Sequence, residues 1–280
     1  MRPQPNRFFF VILIFIIFVT GVAAVIASRR VSSSKKNPPP VVAQSRTPVH
    51  TGYPDRIHAS RLRPQVRVLL GALGSRLSER GKERVTRAGT LTHGSASQPI
   101  VVVHEFPNRF SVTGNKGVLV SFDARARAGV SGDAETRALL ESVFYDSAES
   151  FFIAQWRGAA TRFLGARANA VESGDGPVYD IYEVIDEAAS RGAGQPTTKR
   201  YFFNSDTQLL EIVRYQNERD GQSISVETRF GDWRKIDGQH VPGSVTRLEN
   251  GRVVLSFANG STTLGPREPA VIEPPKRNAA

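Results

Sequence analysis

The sequence contains no cysteine, and that one absence removes several possibilities together. Structural disulfides, thiolate metal sites and lipid attachment through a cysteine all need a sulfur that the chain lacks. Histidine is sparse: His50, His58, His93, His104 and His240 are scattered, with no His-Glu-x-x-His and no pair at helical metal spacing. There is no Gly-x-Ser-x-Gly elbow and no phosphate loop, and "GNKG" at 114–117 reads as a hairpin turn. His104, inside an apolar strand pattern, and His240, beside a turn, both read as structural residues. Asp180, Glu183, Glu211 and Glu227 have no spacing that favours a catalytic pair over solvated strand faces. Asp232-Trp233-Arg234 reads as a bulge after Gly231 with an aromatic anchor and flanking charges. The expectation is a protein that is not an enzyme, with no cofactor and no metal.

Acidic residues are scarce at the front of the chain. Residues 1–98 hold 16 Lys/Arg and 3 Asp/Glu, whereas residues 99–280 hold 21 and 23, so the net charge of +11 belongs to the front end. Such a basic flank beside a greasy segment is drawn to anionic headgroups, by on the order of 1 kcal/mol per charge close to the surface. Neither zinc-finger spacing nor an aromatic-studded basic motif is present, so nucleic acid is not an expected partner.

The greasy segment is "FFFVILIFIIFVTGVAAVIA", residues 8–27. At ~1.5 Å per residue it is long enough to cross a hydrocarbon core of ~30 Å. A cleavable signal has a shorter apolar region of about 7–15 residues, yet Val25 and Ala27 fit a small-residue cleavage pattern before Ser28. Residues 1–28 are therefore expected to be a transmembrane anchor or signal segment. Arg29, Arg30, Lys35 and Lys36 outnumber Arg2 and Arg7, an order that places the following domain in the cytoplasm by the positive-inside tendency. Residues 29–62, which include "SSSKKNPPPVVAQSRTP", are expected to form a flexible basic, Pro-rich linker.

Roughly 230 residues remain beyond the front segment and tether, enough for a sizeable core. Val66, Leu69, Leu70, Leu73 and Leu77 mark one face of a helix within residues 64–85, weakened at its end by Gly81. The period then changes to two, giving strands at 87–93, 99–106, 109–112 and 117–123. A helical section follows, with Asp133 at the N-cap position and Glu135 in the first turn. Its stripe runs through Leu139, Leu140, Val143, Phe144, Ala148, Phe151, Phe152 and Trp156, and Gly158 and Gly165 are expected to break it into two helices. Strands resume at 178–185, 199–204 and 209–216. In the stretch after them Ile224, Val226, Thr228 and Phe230 share one side, and Asp220-Gly221, Asp237-Gly238 and Asn250-Gly251 are favoured two-residue turns. Residues 263–280 are expected to be a disordered tail.

About ten antiparallel strands in sequence-neighbour order hide their edges by curling, and the concave side must then be filled by side chains, helices or a ligand. The aromatic helical insert is the candidate cover. The fold class expected is α+β: a curved antiparallel sheet forming an incomplete β-barrel, with helices closing its mouth.

The pattern "GTLTHGSASQPIVVVHEFPNRFSV", the helical insert, "VYDIYEVI", "KRYFFNSDTQLLEIVRYQ" and "VETRFGDWRKIDGQHVPGSVTRLENGR" resembles the LolA/LolB-like superfamily of periplasmic lipoprotein carriers, including LppX-like lipid binders. The resemblance covers roughly residues 65–260 in order and spacing of elements, and a half-barrel domain is expected over residues 63–262. It implies helices closed over a hydrophobic cavity that holds acyl chains, in a domain exported to the periplasm, which opposes the orientation indicated by the flanking charges. The chain departs from the family in lacking a cysteine and in carrying an anchor-length helix. The expected location is the bacterial inner membrane with the domain in the periplasm, or a secreted or periplasmic protein if residues 1–27 are cleaved. The expected partners are a hydrophobic small molecule or acyl chain, the membrane through residues 8–27, and an envelope protein. Phe144, Phe151, Phe152 and Trp156 are the residues expected near the ligand. The alternative is a non-catalytic interaction protein of the envelope with a filled core.

Overall fold

The computed structural model describes residues 53–123, 128–130, 134–168, 176–186 and 197–268. The anchor-length segment 8–27, the tether up to residue 52, Asp133 and residues 269–280 lie outside these. Among the described residues no helix is long and apolar enough to cross a membrane.

The chain first forms helix α1 (Pro64–Leu73) and then a meander of five strands: β1 (Arg84–His93), β2 (Ala96–Glu105), β3 (Arg109–Gly114), β4 (Gly117–Asp123) and β5 (Ala128–Val130). Two helices follow, α2 (Ala134–Tyr145) and α3 (Ala148–Arg157). A second meander contains β6 (Ala160–Ala168), β7 (Val178–Asp186), β8 (Thr197–Asn204), β9 (Leu210–Arg219) and β10 (Gln222–Gly231). A small hairpin, β11 (Arg234–Ile236) and β12 (Gln239–Val241), precedes β13 (Ser244–Glu249) and the long β14 (Arg252–Gly265).

Twelve of these strands make one antiparallel sheet in the order β5-β4-β3-β2-β1-β14-β13-β10-β9-β8-β7-β6, and β11–β12 stands apart. Strands β5 and β6 have no further neighbour among the described residues, so the sheet is open: an incomplete barrel with α2 and α3 connecting its two edges. This is the fold class that the alternating pattern implied. The turns explain the register. Asp220-Gly221, Asp237-Gly238 and Asn250-Gly251 all have positive φ at both residues, the geometry that matches the twist of the flanking strands. The pairs Arg219↔Gln222 and Glu249↔Arg252 close two of these turns at the minimum length.

Alternation then decides what faces inward. Val226, Thr228 and Phe230 are buried on one side of β10, with Ile224 half-buried and Ser225 and Arg229 exposed. The inward residues of the strands and the apolar faces of all three helices join in one core. It includes Val66, Leu69 and Leu73 from α1, Leu139 and Phe144 from α2, and Phe151, Phe152 and Ile153 from α3. A smaller cluster of Tyr179, Ile181, Phe202 and Ile212 occupies the opposite face of β7–β9.

Four boundaries differ from the sequence expectation. Helix α1 stops at Leu73, because Gly74 takes φ 102 and turns the chain toward β12; Leu77 is still buried, but on a loop. The break between α2 and α3 falls at Asp146-Ser147, where the Ser147 Oγ accepts the Ser150 N–H as an N-cap. Gly158 ends α3 in the left-handed conformation, and the residues around Gly165 are strand β6 with a bulge, not a helix. The folded part also overruns both expected edges, since Ile57 and Leu62 belong to the core and β14 runs to Gly265.

Candidate functional site

Beneath the junction of α2 and α3 lies a cavity of about 40 Å³. Its apolar walls include Val85, Phe110, Val143, Phe144, Phe230 and Val245, drawn from four strands and α2. Its polar lining is Arg76, Arg87, His104, Ser147, Glu149 and Trp233. Strand alternation delivers two of these: Arg87 shares the inward side of β1 with Val85 and Leu91, and His104 shares that of β2 with Ile100 and Val102. Helix α3 delivers Glu149 from its first turn, where the helix dipole favours a carboxylate.

Glu149 forms a buried ion pair with Arg76 and approaches the His104 Nδ1 at 3.7 Å. Burial pushes the Glu149 carboxyl upward, but Arg76 first and His104 second outweigh it and hold the group down at about 2. His104 is moved the other way: burial dominates, Glu149 compensates only partly, and the imidazole falls to about 4, so it is neutral at pH 7. Burial likewise lowers Arg87 to about 10, which leaves it charged. Although part of the Arg87 residue reaches the surface, its Nε is enclosed, and the guanidinium carbon stands 5.5 Å from the Phe257 ring centre.

A second polar cluster anchors the same junction. The Asp146 carboxylate is fully buried; it accepts from Lys199 Nζ at 2.7 Å, Thr228 Oγ1 at 2.6 Å and Arg247 at 3.3 Å. Arg247 also donates to the Tyr215 hydroxyl at 3.1 Å and to Glu249. Lys199, Thr228 and Arg247 come from β8, β10 and β13, so one carboxylate ties the helix corner to three strands. The far end of α3 is held by Arg157, 3.4 Å from Asp186.

The aromatic residues singled out in the sequence are divided by this geometry. Phe144 lines the cavity, edge-on to His104 with ring centres 4.9 Å apart and 5.4 Å from Phe110. Phe151 and Phe152 have no exposed surface and sit in the filled core, Phe151 against Tyr201, Phe203 and Tyr182. Trp156 is half-buried on the edge of that core.

The carboxylates considered for catalysis do not converge. Glu183 pairs with Arg162 and Arg200, Glu227 with Arg214 and Arg229, and Glu211 accepts from Tyr179 and Asn204. Among the described residues no group of three or more His, Asp or Glu side chains could hold a metal ion. Arg76, Arg87, Glu149 and Trp233 escaped the sequence reading as site residues. For Arg87 the signal was present, a charge at an inward position of an alternating strand.

No family model matches the chain, and no curated protein matches it. Among solved structures it is similar to a LolA superfamily protein from Nitrosomonas europaea, at 12% identity and a TM-score of 0.43 over 71% of this chain and 92% of that one. It is also similar to a Vibrio parahaemolyticus domain described as an outer membrane lipoprotein-sorting protein, at 7% identity and a TM-score of 0.45 over 74% and 93%. A DUF1329 family protein from Desulfovibrio piger is similar at 11% identity and a TM-score of 0.44 over 75% and 94%.

Proposed function

We propose that the domain is a non-catalytic binding module of the cell envelope that takes a lipid or lipoprotein acyl chain, or another hydrophobic molecule, between its concave sheet and the covering helices. The observation that carries this reading is architectural: the inner face of an open sheet is covered by helices that take no part in the strand ladder. Phe144, Phe151, Phe152 and Trp156 would then exchange contacts with one another for contacts with the ligand, at ~25 cal/mol per Å² kept from water. Residues 8–27 would tether the domain to the inner membrane, with the domain in the periplasm.

A cavity of about 40 Å³ favours a second reading. Pockets for drug-sized ligands measure roughly 300–1,000 Å³, so an acyl chain enters only if the helices move. If they do not, the domain is an interaction protein with a filled core that docks on another envelope component. Native mass spectrometry of the full-length protein, gently extracted and offered dodecanoate or a lysophospholipid, tests the choice. One retained amphiphile per chain is expected, and a chain that retains none while remaining folded would favour the second reading.

A further inference from the structure

The cavity beneath the α2–α3 junction is small, but its polar lining is not balanced. Four buried side-chain nitrogens without a hydrogen-bond partner among the described residues belong to its lining: Arg76 Nε, Arg87 Nε, His104 Nε2 and Trp233 Nε1. Arg76 and His104 are more than nine-tenths buried. The charges do not cancel either. Arg76 and Arg87 are cationic, His104 is neutral, and Glu149 supplies one negative charge, spent mainly on Arg76. One positive charge and at least three N–H donors are left facing one small, partly open space, an arrangement costly to withdraw from water without a counter-charge.

We propose that this cavity is a monoanion site and that its occupant is a carboxylate group. A single negative charge neutralises the lining, whereas a dianionic phosphate would overshoot it. Two oxygens with about four lone-pair positions suit donors spread over two guanidinium groups and an indole. The volume admits a compact group of this kind, and about three waters would fill it otherwise. Phe110, Phe144 and Phe230 give the same space an apolar wall, so the carboxylate is either that of a small free acid or the head of a fatty acid-like amphiphile. Only the second source rests on the binding function proposed above.

The test uses the full-length protein in a non-ionic detergent, with the Trp233 indole 15N–1H signal as reporter, assigned by its loss in Trp233→Phe. Sodium acetate titrated against sodium chloride at constant ionic strength should shift that signal saturably and raise the melting temperature, because a ligand of the folded state stabilises it. Arg87→Met should weaken acetate binding at least tenfold, as expected for loss of a charge-assisted donor. It should melt no lower than the parent in chloride, since it removes an unbalanced, partly buried charge. Arg87→Lys, which keeps the charge and loses the fork, should fall between the two. An indole signal that ignores acetate, responds equally to chloride, or responds unchanged in Arg87→Met would overturn the site and leave water alone in the cavity. Dodecanoate that displaces acetate and binds more tightly would identify an amphiphile head. Acetate binding that dodecanoate cannot compete with would keep the anion site and assign it to a small free acid.

Discussion

Asp146 gathers the buried polar contacts of the α2–α3 corner, since Lys199, Thr228 and Arg247 all donate to it. Removing the carboxylate leaves Lys199 without its buried partner and Arg247 with Glu249 alone. Asp146→Ala is therefore expected to cost about 3–5 kcal/mol, the range for breaking a buried pair from one side. Asp146→Asn, which keeps an acceptor oxygen, should cost less, and urea denaturation of both variants measures the difference. At the cavity cluster of His104 and Glu149 the sign of the pH dependence follows from two depressed groups. In the folded state His104 sits near 4 against its ordinary 6.5, and Glu149 near 2 against 4.5. In each case the unfolded chain binds the proton first, so stability is full above pH 6.5 and falls as the pH drops toward 2. The His104 share is on the order of 3 kcal/mol, and His104→Phe should flatten the decline between pH 6.5 and 4 in pH-resolved urea curves. Neither cluster was legible in the sequence. Asp146 meets partners 53–101 positions away, and His104 meets Glu149 from another element, so no local pattern marks them.

Elements were more legible than residues, and the reason is that their signals are local. The three Asp-Gly and Asn-Gly turns and the alternation around Val226, Thr228 and Phe230 fix strands by backbone conformation and face alone. Helix α1 was overextended because the apolar spacing continues to Leu77, whereas the stop at Gly74 depends on the β11–β12 hairpin folding against it. Gln239 makes that contact, accepting the Arg76 N–H through its Oε1 and donating to Ser75. A Cβ at Gly74 would stand 2.6 Å from that Oε1 and 2.8 Å from the Gly238 carbonyl oxygen, at a φ that side chains rarely adopt. Gly74→Ala should cost more than the ~1–3 kcal/mol of the backbone conformation alone. Gly81→Ala, at φ 90 with open space around the added carbon, should cost only that backbone share. Thermal melts of the two variants separate strain from collision.

At the scale of the whole molecule the decisive contact joins the two ends of the described chain. Strand β14 lies between β13 and β1, so the last strand unites the early meander with the later one, a pairing that hairpin signals cannot announce. The junction is tight at Gly89, where the β1–β14 register shifts and an added Cβ would run into the Ala258 carbonyl oxygen. Gly89→Ala is thus expected to destabilise the fold by at least the ~1–3 kcal/mol usual for overpacking a close site, because the obstructing atom is backbone. The form of the unfolding curve tells more than its midpoint. The core under the helices draws Leu91, Ile100 and Val112 from one meander and Tyr182, Tyr201 and Val213 from the other, so weakening the strand junction does not free either half. Circular dichroism and tryptophan fluorescence should therefore move together through a single urea transition in Gly89→Ala, shifted to lower denaturant. Two separated transitions would mean that the helices cover the sheet without uniting its two halves into one cooperative unit.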